Sequence, residues 1–370
     1  MRIIFHIPIH IDRSDPSASQ IRPQKLMAAF AELGYEVDVV EGYGAERKQR
    51  IAAIKRNIRQ GVHYDFLYSE SSTMPTLLTE RNHLPTYPFL DFGFFRFCKR
   101  HGIPIGLFYR DIHWRFANRG DGWKNSMATL FYRYDLWQYR RWLDVLFLPT
   151  MEMRTHIPAE FTCRVVELPS GCERLLSADS KNCKSSDTAS LSLLYVGGLG
   201  TNYNLKPLLQ AVSGLPDVRL TLCCRDYDWD AVSEEYAPLV SSNVNVVHES
   251  GEAVRQRYQQ ADLFAMTFYN DYIDFAAPYK FFETIGYGVP MLVVEDSWMA
   301  RFVEKNHIGM VSHKDAASIR AALEHVLQNR DILAAYKEHI EEVAVKNTWQ
   351  ARCQQIAQSL TAPQSHNNSE

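Results

Sequence analysis

Residues 277–295 read A-P-Y-K-F-F-E-T-I-G-Y-G-V-P-M-L-V-V-E, and this stretch decides how the chain is organised. Pro278 suits the entry of a helix, Tyr279–Tyr287 carries it, and Gly286 with Gly288 stops it. Pro290 then leads into an apolar run, M-L-V-V, with no polar alternation. Such a run is a strand buried on both faces, the mark of a parallel sheet covered by helices.

The same rhythm extends outward from this unit. Upstream come the strand S-L-L-Y-V-G-G-L-G, a helix at 205–213, the strand V-R-L-T-L-C-C, a helix at 253–261 and the strand D-L-F-A-M-T-F-Y. The first half repeats it. I-I-F-H-I-P-I is followed by a polar loop at 10–19, a helix at 23–33 stopped by Gly34, and V-D-V-V-E-G-Y-G. A basic helix at 48–59, D-F-L-Y-S-E, a helix at 92–101 and I-P-I-G-L-F-Y-R-D complete it. Between the halves, 177–190 (S-A-D-S-K-N-C-K-S-S-D-T-A-S) is polar and has the composition of a linker. The pattern predicts an α/β chain of two Rossmann-like, doubly wound domains facing across a cleft. Their expected limits are 1–165 and 166–347, with a last helix at 348–362 packing back on the first domain and a disordered tail at 363–370.

Composition narrows the function classes. The 370 residues include 40 Lys plus Arg against 43 Asp plus Glu, a formal charge of -3, which argues against a dedicated nucleic-acid binder. The seven cysteines form no C-x-x-C, and the adjacent Cys223 and Cys224 do not suit a mutual disulfide, so reduced thiols in the cytoplasm are expected. No stretch approaches the ~20 apolar residues of a membrane span, and the amino-terminal segment lacks the pattern of a secretory signal.

In a doubly wound sheet, ligands bind beyond the carboxyl ends of strands. Four segments lie there. Gly197, Gly198 and Gly200, with Tyr203 and Asn204 before a helix, would let backbone and helix N–H groups approach a phosphate; a turn that simply needs positive φ explains them equally well. Lys280 and Glu283 share a helix face, a lysine for phosphate and a carboxylate for sugar hydroxyls, against the plainer reading of a surface ion pair. Asp111 and His113 straddle one residue after I-P-I-G-L-F-Y, where a carboxylate-oriented histidine can accept a proton, or else be a structural pair. The loop from His6 onward offers His10, Asp12, Arg13, Asp15 and Ser17 for an acceptor pocket. Separately, 123–142 interleaves Phe131, Tyr132, Tyr134, Trp137, Tyr139 and Trp142 with Arg133, Arg140 and Arg141, a composition that suits a membrane interface or, alternatively, a core face with solvated arginines.

The segment P-Y-K-F-F-E-T-I-G-Y-G-V-P-M-L-V resembles the P-x-K-x-x-E-x-x-x-x-G-x-P-V signature of GT-B glycosyltransferases, especially the retaining family 4. R-P-Q-K-L-M-A-A-F-A-E-L-G-Y-E-V, E-L-P-S-G-C-E, L-L-Y-V-G-G-L and T-W-Q-A-R-C-Q-Q resemble further landmarks of that family, so the likeness runs through most of the chain. It implies that Lys280 contacts a donor diphosphate and Glu283 the ribose, and that His113, backed by Asp111, lies near the donor sugar. Two positions depart from the family. Its first acidic residue would fall at Phe275, with Asp274 one residue away, and its usual arginine falls at Gly198, leaving Arg225 or Lys206 to face the phosphates.

The expected activity is transfer of a sugar from a nucleotide-diphospho-sugar to a hydroxyl of a glycan or lipid-linked acceptor. Retention is implied, in surface polysaccharide (capsule or lipopolysaccharide) synthesis, in the cytoplasm or at the inner face of the membrane, with peripheral membrane contact through 123–142. A sugar-nucleotide epimerase and a catalytically silent synthase subunit are the alternatives. No cofactor or metal is expected. His248, Glu249, His307 and His313 lack metal-ligand spacing, and the D-x-D matches at Asp226, Asp228 and Asp230 are discounted because paired Rossmann-like domains neutralise a diphosphate with basic residues and helix ends. No G-x-S-x-G marks a hydrolase.

Overall fold

The computed structural model describes residues 1–15, 17–116, 123–175, 190–200, 203–268, 270 and 272–362. Apart from Ser190, the expected linker lies outside them, as does the expected disordered tail at 363–370. The chain forms two compact units, Met1–Ser170 with Trp349–Glu370, and Gly171–Thr348.

The first unit runs β1 (Arg2–His6), α1 (Ala18–Glu32), β2 (Glu36–Val40), α2 (Gly44–Arg59), β3 (Phe66–Glu70), α3 (Leu90–Arg100), β4 (Ile105–Phe108), α4 (Trp123–Trp142), β5 (Val145–Leu148) and β6 (Arg164–Glu167). All six strands are parallel, in the order β2-β1-β3-β4-β5-β6. Ile3 aligns with Val37 on one side and Phe66 on the other. Because β2 lies on one side of β1 and β3 on the other, the winding reverses between β1 and β3. Their carboxyl ends, at His6 and Glu70, flank the crevice where such a sheet takes ligands.

The second unit repeats the plan with β7 (Leu191–Val196), α5 (Lys206–Ser213), β8 (Val218–Cys223), the short α6 (Asp226–Asp230) and α7 (Ser233–Tyr236), β9 (Val244–Val247), α8 (Glu252–Gln260), β10 (Leu263–Met266), α9 (Tyr279–Tyr287), β11 (Met291–Val294), α10 (Trp298–Asn306), β12 (Gly309–Ser312), α11 (Ala316–Gln328) and α12 (Ile332–Lys346). The order β12-β11-β10-β7-β8-β9 places the reversal between β7 and β10. Both strands of the α9–β11 hand-over are sealed: every residue of β10 and β11 is buried. The chain then closes with α13 (Trp349–Thr361), which packs against α1 of the first unit. There Cys353 Sγ meets Leu26 O at 3.5 Å, and Gln355 donates to Glu167 O at 2.7 Å.

Several elements differ from the sequence expectation. α1 begins at Ala18, not near Pro23, so the loop is shorter and Pro23 sits inside the helix. Its missing N–H costs one bond close to the first turn, where such bonds are fewest. β5, β6, β9 and β12, four residues each, are strands that the pattern did not mark. No disulfide joins two described cysteines, and burial pushes Cys98 and Cys224 up to about 12. No described helix is long and apolar enough to cross a membrane.

Candidate functional site

In the second unit, the end of β7 turns through Gly197, Gly198 and Gly200. Gly200 has φ +107°, a conformation that favours glycine. The turn is tied down from inside: Tyr195 Oη donates to Gly198 O at 2.6 Å, and Tyr203 N donates to Gly200 O at 2.9 Å. Thr201 and Asn202 lie outside the described residues. The Tyr203 ring meets Phe268 edge-on at 5.0 Å, and Asn204 Oδ1 accepts from Lys206 N at 3.1 Å as α5 begins.

At the far side of the reversal stands α9. Pro278 enters it in extended conformation, so Lys280 and Glu283 occupy its first turns, near the positive end of the helix dipole. Lys280 Nζ donates to Glu283 Oε2 at 2.6 Å, and Tyr258 Oη donates to the same oxygen at 3.2 Å. Tyr258 is itself clamped, stacked on Tyr287 at 4.2 Å and on Phe264 at 5.4 Å. The carboxylate is thereby fixed by two donors, while the lysine side chain stays one-third exposed. Lys280 also acts on the Cys223 thiol at the end of β8, whose carbonyl accepts from Gly197 N at 3.1 Å. The glycine turn and the lysine therefore adjoin the same strand end. Gly286, three residues on from Glu283, has no room for a methyl group: a Cβ there would stand 2.3 Å from Glu173 O. That close approach, with Leu175 N donating to Gly286 O at 3.0 Å, seats the helix that carries Lys280.

The two bases proposed in place of the family arginine are both engaged. Lys206 pairs with Glu235 at 2.6 Å on the surface. Arg225 bonds the Tyr227 hydroxyl, lies over that ring at 5.3 Å and faces Asp228 at 3.9 Å. Asp228 Oδ2 is buried without a hydrogen-bond partner, an orphaned acceptor beside the glycine turn. Phe275 is a buried core residue, whereas Asp274 is exposed and its carbonyl accepts from Arg301. Among the described residues no three His, Cys, Asp or Glu side chains gather as a metal-holding group.

In the first unit, Asp111 and His113 do meet: Asp111 Oδ1 contacts His113 Nδ1 on a short 3-10 turn after β4, with both side chains about one-third exposed. The acceptor-side loop residues turn to local partners. His10 stacks on Tyr43 at 5.4 Å, Arg13 lies 3.6 Å from Glu41, and Ser17 Oγ bonds Ser19 Oγ. Asp12 accepts from the hydroxyl and N–H of Ser14, which hold its carboxyl below the usual range. None of His10, Asp12, Arg13 or Ser17 lines a pocket of about 150 Å³ in this unit formed by Ile9, Ser19, Gln20, Ser72, His83 and Arg110 among others.

That pocket adjoins charges the sequence did not mark. Glu70, fully buried at the end of β3, accepts from Arg22, from Arg110 at 3.0 Å and from Tyr68 at 3.0 Å. His6 joins Ser69 Oγ at 2.8 Å to Asp91 at 2.9 Å, and Arg47 grips Asp91 at 3.0 and 3.2 Å. Burial alone would raise the Asp91 carboxyl, but the His6 bond and the Arg47 charge bring it below its ordinary value. Residues 6, 22, 47, 70, 91 and 110 share no spacing. The only local signals were a histidine in an apolar strand and a glutamate closing one.

No protein-family profile and no curated protein matches this chain. Solved structures do. A sucrose-phosphate synthase from Thermosynechococcus elongatus aligns at TM-score 0.63 and 13% identity, over 97% of this chain and 98% of its own. Anabaena HepE, solved with UDP, aligns at 0.64 and 14%, over 98% and 100%. WaaG, a glycosyltransferase of lipopolysaccharide biosynthesis, aligns at 0.59 and 14%, over 97% and 100%. With two six-stranded parallel sheets, each reversing at its first strand, the chain has the two-domain α/β fold of GT-B glycosyltransferases.

Proposed function

We propose that this protein is a glycosyltransferase, moving a sugar from a nucleotide-diphospho-sugar to a hydroxyl of a glycan or lipid-linked acceptor. The observation that carries the reading is the Lys280–Glu283 pair at the start of α9, beside the glycine turn and flanking the β7/β10 reversal. A lysine there matches a diphosphate, and a carboxylate held by Tyr258 matches ribose hydroxyls. HepE, a structural neighbour, is solved with UDP and with UDP-glucose, so uridine diphosphate sugars are the first donors to test.

In this mechanism the anomeric carbon–phosphate oxygen bond breaks as the acceptor oxygen bonds to the same face of the sugar. The acceptor proton passes to the leaving diphosphate, the configuration is retained, and no protein nucleophile is needed. The transition state is oxocarbenium-like, so the work falls on stabilising the departing diphosphate by Lys280, Arg225 and the Gly197–Gly200 turn. His113, oriented by Asp111, serves the donor sugar's hydroxyls. We place the reaction in the cytoplasm, in surface glycan synthesis, without a metal.

A thermal-shift screen of UDP, GDP, CMP and dTDP sugars tests this, with and without chelator. At a hundredfold excess over Kd, binding adds about 2.7 kcal/mol, a rise of roughly 5–10 °C for a unit of this size. One nucleotide should shift the wild type with chelator present and leave Lys280→Ala unmoved, and Lys280→Ala should lose about 10²–10³ in turnover. No shift with any nucleotide would sink the donor-site reading in favour of a silent synthase subunit. Conversion of the donor without acceptor would reassign the protein as a sugar-nucleotide epimerase.

A further inference from the structure

We propose that the acceptor is acidic, and that a phosphate or carboxylate on its terminal sugar is held by Arg110 in the pocket of the first unit. Its role as acceptor rests on the glycosyltransferase reading, whereas the anion site rests on the first unit alone. The pocket, about 150 Å³, opens among the carboxyl ends of three strands: Ile9 follows β1, Ser72 follows β3 and Arg110 follows β4. Ser19, Gln20 and His83 help to complete the wall, and no carboxylate lines it. A cavity of about that volume takes one small ring, so it fits a terminal sugar rather than a length of glycan.

Charge is out of balance at that wall. Glu70 is fully buried and serves two guanidinium groups, Arg22 on Oε1 and Arg110 on Oε2 at 3.0 Å. The neighbouring Asp111 is turned to His113 and is about one-third exposed to water, so it does not stand in for a second buried carboxylate. Burial lowers the Arg110 pKa even with Glu70 beside it, the sign of a cation whose lost hydration is not made good within the protein. Donors are left over as well. Arg22 is 3% exposed, and its Nε and Nη2 are buried without a hydrogen-bond partner among the described residues. Arg110 gives Nη2 to Glu70 and Nε to Ser71 O, and its Nη1 bonds no described residue. Buried donors are ordinarily satisfied, and the guanidinium fork matches an oxyanion. The first turn of α1 adds to the same field: Ser19 and Gln20 line the pocket, no acidic residue stands in that turn, and Ser17 makes no side-chain cap. The positive end of the helix dipole is therefore left without a counter-charge of its own. His83 Nδ1 donates to Leu78 O at 3.2 Å, which leaves Nε2 of the neutral ring to accept from a sugar hydroxyl.

The test is calorimetric titration of the whole chain with glucose, glucuronate and glucose 6-phosphate, which share a ring and differ in the group at its sixth carbon. Each is run with and without the nucleotide that the thermal-shift screen selects. At least one acid should bind about tenfold or more tightly than glucose, the effect of one charged hydrogen bond, and which acid does so tells carboxylate from phosphate. Arg110→Gln should weaken acid binding about 10–100-fold, and Arg110→Lys, a charge without the fork, by less. Because Arg110 also holds Glu70, its loss costs stability as well as binding, and Ser19→Glu separates the two. That change puts a carboxylate into the pocket and into the first turn of α1, where the helix dipole favours one. The variant should melt at or above the wild type and still lose the preference for acids. Equal affinity for all the sugars, binding of none, or an acid preference unchanged in Arg110→Gln and Ser19→Glu would overturn the proposal. The nucleotide thermal shift should persist in these variants; its absence from the wild type would sink the donor reading while acid binding still upheld the anion site.

Discussion

Asp135 gives the sharpest stability prediction. It is a carboxyl 4% exposed on α4, with Oδ2 accepting from Thr76 N at 2.7 Å and Oδ1 buried without a partner. Burial raises its pKa to about 7 despite the Thr76 bond, and the neighbouring Asp91 adds to the rise. The unfolded value is about 3.9. A carboxyl raised in the folded state contributes stability that is fully present below the unfolded pKa and is lost as pH climbs through the folded one. The gap of about three units is worth up to about 4 kcal/mol between pH 4 and pH 7. Asp135→Asn removes the titration and keeps an acceptor for Thr76, but points an amide at the site of the unpartnered oxygen, which costs about 1–3 kcal/mol. The variant should therefore melt at or below the wild type near pH 5. Near pH 8 it should melt above it, by roughly 2–12 °C, the remaining 1–3 kcal/mol at about 2–4 °C per kcal/mol for this unit. Melting curves of both proteins from pH 5 to 8.5 decide it, since every other group titrates alike in the two. A difference in Tm that does not change with pH, or one that runs the other way, would refute the reasoning.

Three further outcomes follow from the sites described. Tyr258→Phe keeps the stack on Tyr287 and Phe264 but takes one donor from Glu283, and calorimetry should show nucleotide affinity falling about 3–10-fold with little change in Tm. Gly286→Ala drives a methyl into Glu173 O, so despite the better helix former it should destabilise by about 1–3 kcal/mol and weaken nucleotide binding, read by melting and by titration. His113→Asn should lower turnover by about 10²-fold while leaving the nucleotide thermal shift intact; unchanged turnover would return the Asp111–His113 pair to a structural role.

Some of this was written locally. α9 falls at Tyr279–Tyr287, the bounds that Pro278 and the glycines set, because both its entry and its stop are short-range backbone effects. The apolar run after Pro290 became β11, since burial on both faces leaves its trace in every residue. Lys280 and Glu283 are three residues apart on one helix, so their pairing follows from helical geometry. Asp111 and His113 are neighbours for the same reason of proximity. The acceptor-side reading fared differently: the loop residues His10, Asp12, Arg13 and Ser17 were chosen for polarity, and polarity is satisfied by whichever partner is nearest, here Tyr43, Ser14, Glu41 and Ser19.

What the sequence determined by itself was the alternation of strand and helix, the parallel character of the sheets and the face of α9 that carries Lys280, all of which rest on contacts within a few residues. Only the tertiary structure decided the strand order, and with it the reversals at β1/β3 and β7/β10, the places where a doubly wound sheet takes ligands. It alone brought Arg22, Glu70 and Arg110 together, as it did His6, Arg47 and Asp91. It also turned the carboxylates of α3 and α4 inward and left their arginines outside. Those outcomes depend on pairings across dozens of residues, where a buried charge must find its counter-charge in space and leaves no periodic signal in the chain.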